Sequence, residues 1–216
     1  MNPAGAPGPD ISRPSFDALA PPKDADGSRL KLVLGLGNPG RQYDSTRHNV
    51  GWWVLDRFAY DHGLPAFERR GDRLETSGAI GGREIRLVKP RTYVNRSGLA
   101  LAALRQTTGF ETASDLLVVA DDANLDVGRI RFRPGGGTGG HKGLKSVTAV
   151  LGTPTYARLR IGVGLVPQDT DLAAWVLSAM PEEDEDVVVA LLPELSRAVA
   201  VWAEDGVEAA MNRFNR

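Results

Sequence analysis

The 216-residue sequence contains no cysteine and only three histidines. The absence of cysteine excludes disulfide bonds and thiolate chemistry, and it is typical of proteins that work in a reducing compartment. Because His48, His62 and His141 are the only imidazoles, we expect no metal centre built from several histidines. No apolar run approaches the roughly 18 residues that a membrane-spanning helix needs. The sequence therefore favours a cytoplasmic protein with no metal centre of several histidines and no membrane span.

The chain also has no marked excess of positive or negative charge, since the formal net charge is −1. Any nucleic-acid site must then be a local patch rather than a property of the whole chain. Arginines alternate with Ile130 and Phe132 over residues 129–133, and a strand would place these arginines on one face. Alone they would be typical of a solvated sheet edge, but further cations nearby predict a basic patch: Lys142, Lys145, Arg158 and Arg160.

Composition divides the chain into two parts. Residues 1–28 are rich in proline and lack the apolar core of a signal peptide, so we interpret them as a disordered tail. In residues 29–216, strand patterns alternate with helix patterns, which predicts one domain. The expected fold class is a single three-layer α/β/α domain around a mixed, mostly parallel central sheet.

Hydrophobic periodicity gives the expected elements. It predicts strands at residues 30–36, 74–80, 84–88, 116–119, 129–133 and 158–164. It predicts helices at residues 47–62, 97–108, 144–151, 172–177 and 181–202. Pro193 should kink or restart the last helix, because proline removes a backbone hydrogen bond.

Residues 35–51 follow a buried strand and contain a turn rich in glycine. The glycines at 35, 37 and 40 have the spacing of a dinucleotide-binding loop. Two features count against that function. Pro39 lacks an amide that should face a pyrophosphate, and Asp56 falls within a helix rather than at the end of a second strand. A turn with a purely structural role remains the alternative for this motif.

Several polar side chains follow the ends of predicted strands. His48 opens a helix there, and histidine suits a general base because its usual pKa is about 6.5. Asp121 ends another strand and is the natural acceptor for the second ring nitrogen, since strand ends meet at one edge. Asn38 and Asn95 lie in turns, where asparagine either makes local hydrogen bonds or binds a ligand. The glycine-rich residues 135–143 form either a flexible connector or a loop whose amides face a phosphate or carbonyl.

Taken together, these motifs resemble the bacterial-type peptidyl-tRNA hydrolases. The likeness runs in register from about residue 30 to the end of the chain. It is carried by Gly35-Leu-Gly-Asn-Pro-Gly40, Tyr43, Thr46-Arg-His-Asn49, Lys89-Pro90, Asn95-Arg-Ser-Gly98, Asp121 and residues 135–145 and 158–162. The resemblance implies a monomeric hydrolase without a cofactor. Its substrate would be peptidyl-tRNA, bound by the acceptor stem and 3′ end, and it would cleave the ester between the peptide and the 3′ ribose.

The resemblance also implies a role for each matching residue. His48 would be the general base that activates water, and Asp121 would hold and polarise it. Asn38 would contact the peptide and help reject substrates with a free amino group, while Asn95 would help to stabilise the oxyanion. The other implied substrate contacts are Tyr43, Tyr93 and Val94 along the crevice, Gly140, His141 and Lys142 in the glycine-rich loop, and Arg133 and Arg160 at the tRNA 5′-phosphate.

The sequence departs from the family pattern at several positions. Lys142 replaces a substrate-binding asparagine, so an amide that donates and accepts hydrogen bonds gives way to a cation. Val94 stands where methionine is usual, and residues 166–171 lack the basic side chains common there. Two alternatives to an active peptidyl-tRNA hydrolase follow: a catalytically weak RNA-binding paralogue of the same fold, and a hydrolase of a different acyl or peptidyl ester.

Overall fold

The computed structural model describes residues 30–102 and 110–216, and the strands in these residues form one sheet. They are β1 (Lys31–Gly35), β2 (Glu68–Arg70), β3 (Arg73–Ile80), β4 (Arg83–Pro90), β5 (Leu116–Asp122), β6 (Ile130–Arg133) and β7 (Ala157–Gly162). Their order in the sheet is β2-β3-β4-β1-β5-β7-β6. The central strands β4, β1, β5 and β7 run parallel. Antiparallel pairs flank them on both sides, so the sheet is mixed.

Helices cover both faces of this sheet. They are α1 (Val50–Asp61), α2 (Thr112–Asp115), α3 (Lys142–Leu151), α4 (Leu172–Leu177), α5 (Glu182–Asp205) and α6 (Val207–Phe214). Three segments form 3-10 helices: Arg41–Tyr43, Arg47–Asn49 and Val94–Leu101. One apolar core joins the sheet to α1, α5 and α6, and a second joins the other face to α3 and the Val94–Leu101 helix. The predicted three-layer α/β/α class is confirmed.

Most predicted elements occur close to their expected bounds. The helix predicted at 97–108 begins earlier, at Val94, as a 3-10 helix. Residues 103–108 of that prediction and the predicted tail at 1–28 lie outside the described residues. Hydrophobic periodicity missed β2 and α2, which at three and four residues are too short to show it. It also missed α6, which follows α5 after a break at Gly206.

The expected restart at Pro193 does not occur. A single helix, α5, runs through this position from Glu182 to Asp205. One stripe of its apolar side chains is buried in the core shared with α1: Val188, Leu191, Leu195, Val199 and Trp202. This continuous packing offsets the hydrogen bond that proline removes from the helix interior.

The amino end of α1 lies directly on the ends of β1 and β5. A Cβ atom built on Gly51 would lie 2.6 Å from the backbone oxygen of Leu36 and 2.7 Å from that of Val119. Backbone atoms of a central sheet cannot move aside, so only glycine fits. Since His48 precedes α1 by two residues, this contact also sets the distance between His48 and the strand ends.

Two glycines of the 35–40 turn also allow close packing against α1. A Cβ on Gly35 would lie 2.7 Å from the Gly51 oxygen, and one on Gly37 would lie 2.8 Å from the Trp52 ring. These two glycines therefore allow the strand and helix to pack closely, which accounts for the motif without a bound dinucleotide.

Replacing Gly51 with alanine should destabilise the fold, because the new methyl group overlaps two carbonyl oxygens. Overpacking of this kind typically lowers the free energy of unfolding by about 1–3 kcal/mol. Gly137→Ala is the matched control, because no described heavy atom lies within 4 Å of a Cβ built there. Urea unfolding of both variants measures the difference. Equal stability of the two variants would contradict the close contact.

Candidate active site

A cavity of about 360 Å³ lies at the carboxyl ends of β1 and β5. It brings together all four residues predicted to be catalytic: Asn38, His48, Asn95 and Asp121. Most of the predicted substrate contacts also line it: Tyr43, Tyr93, Val94, Gly140, His141, Lys142 and Arg160. Of the predicted site residues, Arg133 alone is outside this wall, exposed on β6.

His48 is held by Asp121 in one orientation. It lies in the 3-10 helix Arg47–Asn49 between β1 and α1, and it is buried. Its Nδ1 atom is 2.7 Å from Oδ1 of Asp121, so we assign the proton to Nδ1, which donates to the carboxylate. Nε2 has no hydrogen-bond partner among the described residues. His48 thus presents an unprotonated nitrogen for a ligand in the cavity, as a general base must.

The carboxyl group of Asp121 stays ionised at neutral pH. Burial raises its pKa, but the charges and hydrogen bonds of His48 and His141 lower it by more than burial raises it. The pKa of Asp121 therefore lies well below the usual range. A carboxyl group with a lowered pKa stabilises the fold above its ordinary pKa of about 3.9, and this contribution is lost as the pH falls below that value. At neutral pH Asp121 is therefore a fixed negative charge.

His141 donates to the same carboxylate oxygen. Its Nε2 atom is 2.9 Å from Oδ1 of Asp121. Its Nδ1 atom accepts hydrogen bonds at the start of α3 from the backbone N–H groups of Gly143, at 3.0 Å, and Leu144, at 3.3 Å. Because Nδ1 faces two donors it carries no proton, and the neutral ring must be protonated at Nε2. Oδ1 of Asp121 consequently accepts from both histidines.

His48, Asp121 and His141 are also chemically suited to hold a metal, since one ligand atom from each lies within 4.8 Å of the others. A ligating nitrogen must be unprotonated. The nitrogens that face Asp121, Nδ1 of His48 and Nε2 of His141, instead donate hydrogen bonds to it. His141 cannot move its proton to Nδ1 without losing two backbone hydrogen bonds. The arrangement therefore fits a hydrogen-bonded cluster rather than a metal centre.

Asn38 is oriented by Asn49, which the sequence analysis left without a role. The Asn49 side chain accepts from the Asn38 backbone N–H at 2.8 Å and donates to its carbonyl oxygen at 3.1 Å. Oδ1 of Asn38 accepts from the backbone N–H of Val94 at 2.9 Å. The Nδ2 donor of Asn38 has no partner among the described residues and is available to a ligand. The position of Asn49 directly after His48 was the available signal for its importance.

Exposed side chains complete the polar part of the wall. Asn95 belongs to the Val94–Leu101 helix and Lys142 begins α3, and neither side chain hydrogen bonds to another described residue. The rings of Tyr43 and Tyr93 meet edge to face, with centroids 6.5 Å apart. These groups are free to contact a bound molecule, and Lys142 adds a positive charge to the wall.

The apolar part of the wall comes from α4, which the sequence analysis did not connect with the site: Leu172, Val176 and Leu177. The buried side chain of Arg47 anchors this helix beside His48. It donates to Oγ of Ser178 at 2.7 Å and to the carbonyl of Ala179 at 2.8 Å. Its guanidinium carbon lies 3.7 Å from the centroid of the Trp175 ring. One side chain thus ties the segment that carries His48 to the apolar wall.

The arginines of β6 and β7 share one face of the sheet, because Arg131 pairs in register with Arg160 and Arg133 with Arg158. Arg133 is exposed, while Arg160 lies at the cavity with its Nε 3.0 Å from Oδ2 of Asp122. The arginine face therefore reaches from the sheet edge to the cavity.

Arg158 does not belong to the predicted basic patch. It is buried, and it donates to the carbonyl oxygens of Gly137 at 2.7 Å and Pro154 at 3.0 Å. It lies on the same face of the sheet as Arg133, but the glycine-rich loop covers it there. Its guanidinium group holds this loop in place and does not reach solvent.

Comparison with known proteins agrees with this geometry. The family model described as peptidyl-tRNA hydrolase matches residues 32–216. The chain is 40% identical over 190 residues to a peptidyl-tRNA hydrolase of Gemmatimonas aurantiaca, covering 87% of this chain and 100% of that protein. It is 44% identical over 186 residues to one of Desulforudis audaxviator, covering 86% and 93%. The crystal structure of peptidyl-tRNA hydrolase from Acinetobacter baumannii superposes with a TM-score of 0.77 at 29% identity, covering 86% and 96%. The chain belongs to the peptidyl-tRNA hydrolase family.

Proposed function

We propose that the chain hydrolyses the ester bond between a peptide, or an N-blocked amino acid, and the 3′ ribose of tRNA, which frees the tRNA for reuse. The observation that carries this proposal is the hydrogen bond between Nδ1 of His48 and Oδ1 of Asp121, 2.7 Å long, in the cavity wall of a chain of this family. An ester needs only an activated water and a donor for the oxyanion. The family matches favour hydrolysis over the alternative of an RNA-binding paralogue.

The reaction follows from the protonation state of His48. Its Nε2 atom takes a proton from water as the water oxygen bonds to the ester carbonyl carbon. The carbonyl oxygen becomes an oxyanion, for which the exposed amide of Asn95 is the proposed donor. When the ester C–O bond breaks, His48 returns the proton to the ribose oxygen. The products are a peptide carboxylic acid, which loses its remaining proton to solvent, and tRNA with a free hydroxyl group, and Asp121 stays ionised throughout.

Asn38 is proposed to select substrates whose amino group is blocked. Its oxygen is already bonded to the Val94 backbone, so the group it offers to a ligand is the Nδ2 donor. A donor pairs with the carbonyl oxygen of a peptide but not with a free ammonium group, which has no acceptor. This difference in hydrogen bonding accounts for preference for peptidyl-tRNA over aminoacyl-tRNA.

The remaining contacts are assigned by their place around the cavity. Tyr43, Tyr93 and Val94 would hold the 3′ end and the peptide, because aromatic faces stack on bases without regard to sequence. Gly140 and Lys142 would lie along the substrate backbone, where the ammonium group faces a phosphate. Arg133 and Arg160 would bind the 5′-phosphate of the acceptor stem.

In keeping with the family resemblance, we propose that the protein acts as a monomer and that it works in the cytoplasm. Among residues 30–102 and 110–216, no helix has the length and apolar character required to cross a bilayer.

Replacing His48 with alanine should lower kcat by about 10²- to 10⁴-fold, because the reaction loses its general base. His62→Ala is the matched control, since this exposed histidine at the end of α1 lies outside the cavity. Cleavage of N-acetylated aminoacyl-tRNA, with circular dichroism as a check on folding, measures both variants. Turnover that survives in folded His48→Ala protein would contradict the mechanism.

Replacing Arg133 with alanine should weaken tRNA binding and reduce its dependence on salt. A phosphate contact releases counterions, so its loss lowers the slope of log K against log salt by about one. Arg83→Ala is the control, because this exposed residue begins β4 at the end of the sheet opposite the cavity. Fluorescence anisotropy over a range of salt concentrations measures the slopes. An unchanged slope in Arg133→Ala would remove Arg133 from the proposed phosphate site.

A further inference from the structure

We propose that His141 is a positioning residue that acts through Asp121. Its hydrogen bond to the carboxylate determines how strongly Asp121 favours the protonated form of His48. This role deepens the proposed function and rests on it. It differs from the direct substrate contact that the family resemblance implies for His141.

Both ring nitrogens of His141 are engaged inside the protein. Nδ1 accepts two backbone hydrogen bonds at the start of α3, and Nε2 donates to Asp121. The side chain is also only 6% exposed, although it contributes to the cavity wall. A hydrogen bond to substrate would therefore require His141 to give up a contact with α3 or with Asp121.

The two histidines compete for one carboxylate oxygen. Oδ1 of Asp121 lies 2.7 Å from Nδ1 of His48 and 2.9 Å from Nε2 of His141, and the two rings are 4.8 Å apart. A hydrogen bond to an ionised carboxylate stabilises its charge where it stands. The donor of His141 therefore takes up part of the negative charge that would otherwise favour a protonated His48. It keeps His48 free to accept a proton from water.

Other charged groups around the cluster do not replace this contact. Those that line the cavity are Asp122 on β5, Lys142 on α3, Arg160 on β7 and Asp171 before α4. Asp122 is paired with Arg160, and Arg47 beside His48 is bonded to the Ser178–Ala179 backbone. All of these groups are unchanged when only His141 is replaced, so a change in His48 reports on His141.

Two amide substitutions separate the two contacts of His141. In His141→Asn, the side-chain oxygen takes the place of Nδ1, and asparagine is a favourable residue at a helix amino end. The donor to Asp121 is lost. In His141→Gln, the longer side chain places its amide nitrogen where Nε2 lies, so the donor is kept and the helix contact is lost.

Nuclear magnetic resonance titration of the histidine ring signals in the free protein measures the effect on His48. The signal is assigned by its absence in His48→Ala, and the chain has only three histidines. His141→Asn should move the His48 midpoint, and the acid limb of kcat/KM, upward by about one pH unit, and it should also lower Tm because the buried Asp121 carboxylate loses a donor. His141→Gln should keep the wild-type midpoint and lower Tm by about 2–4 °C.

The proposal is overturned if both variants keep the wild-type midpoint and only raise KM, because that result describes a substrate contact. It is also overturned if both variants shift the midpoint equally, since the shift would then not depend on the donor. The titration uses no substrate. If the variants titrate as expected but the wild type cleaves no ester, the proposed function is wrong and the His141–Asp121 coupling still holds.

Discussion

The buried carboxylate of Asp121 is the charge on which the rest of the site depends. An unpaired buried charge costs several kcal/mol, so Asp121 is tolerable only because His48 and His141 donate to it. Each donor comes from a different part of the fold. The close packing at Gly51 sets the distance of His48 from the strand ends, and the start of α3 fixes the ring of His141. Segments next to α1 and α3 thus supply the two donors to this carboxylate.

The same constraint determines what the cavity offers to a ligand. With its proton held on Nδ1 by Asp121, His48 presents an acceptor, Nε2. With its oxygen bonded to the Val94 backbone, Asn38 presents a donor, Nδ2. The acceptor and the donor that the cavity offers are both preset by hydrogen bonds inside the protein. Such preorganisation suits the proposed ester hydrolysis, because the groups need not reorient as charge develops.

The sequence predicted the parts of this arrangement that follow from periodicity and topology. Buried strands located His48 and Asp121 at one sheet edge, since the ends of parallel strands converge there. The hydrogen bonds of His141 and Asn49 could not be predicted, because they depend on how irregular loops fold back on the strand ends. Arg158 shows the same limit: it was predicted in the basic patch as one of several neighbouring cations, but only the path of the glycine-rich loop shows that it is buried.

The most direct measurement is single-turnover cleavage of an N-acetylated aminoacyl-tRNA by the wild-type protein and by Lys142→Asn. The hydrogen bonds that orient His48, Asp121 and Asn38 do not involve residue 142. We therefore expect robust cleavage by the wild type, with the lysine changing affinity more than the chemical step. Cleavage only by Lys142→Asn would contradict it, because the cluster around Asp121 would then be insufficient for hydrolysis in this chain.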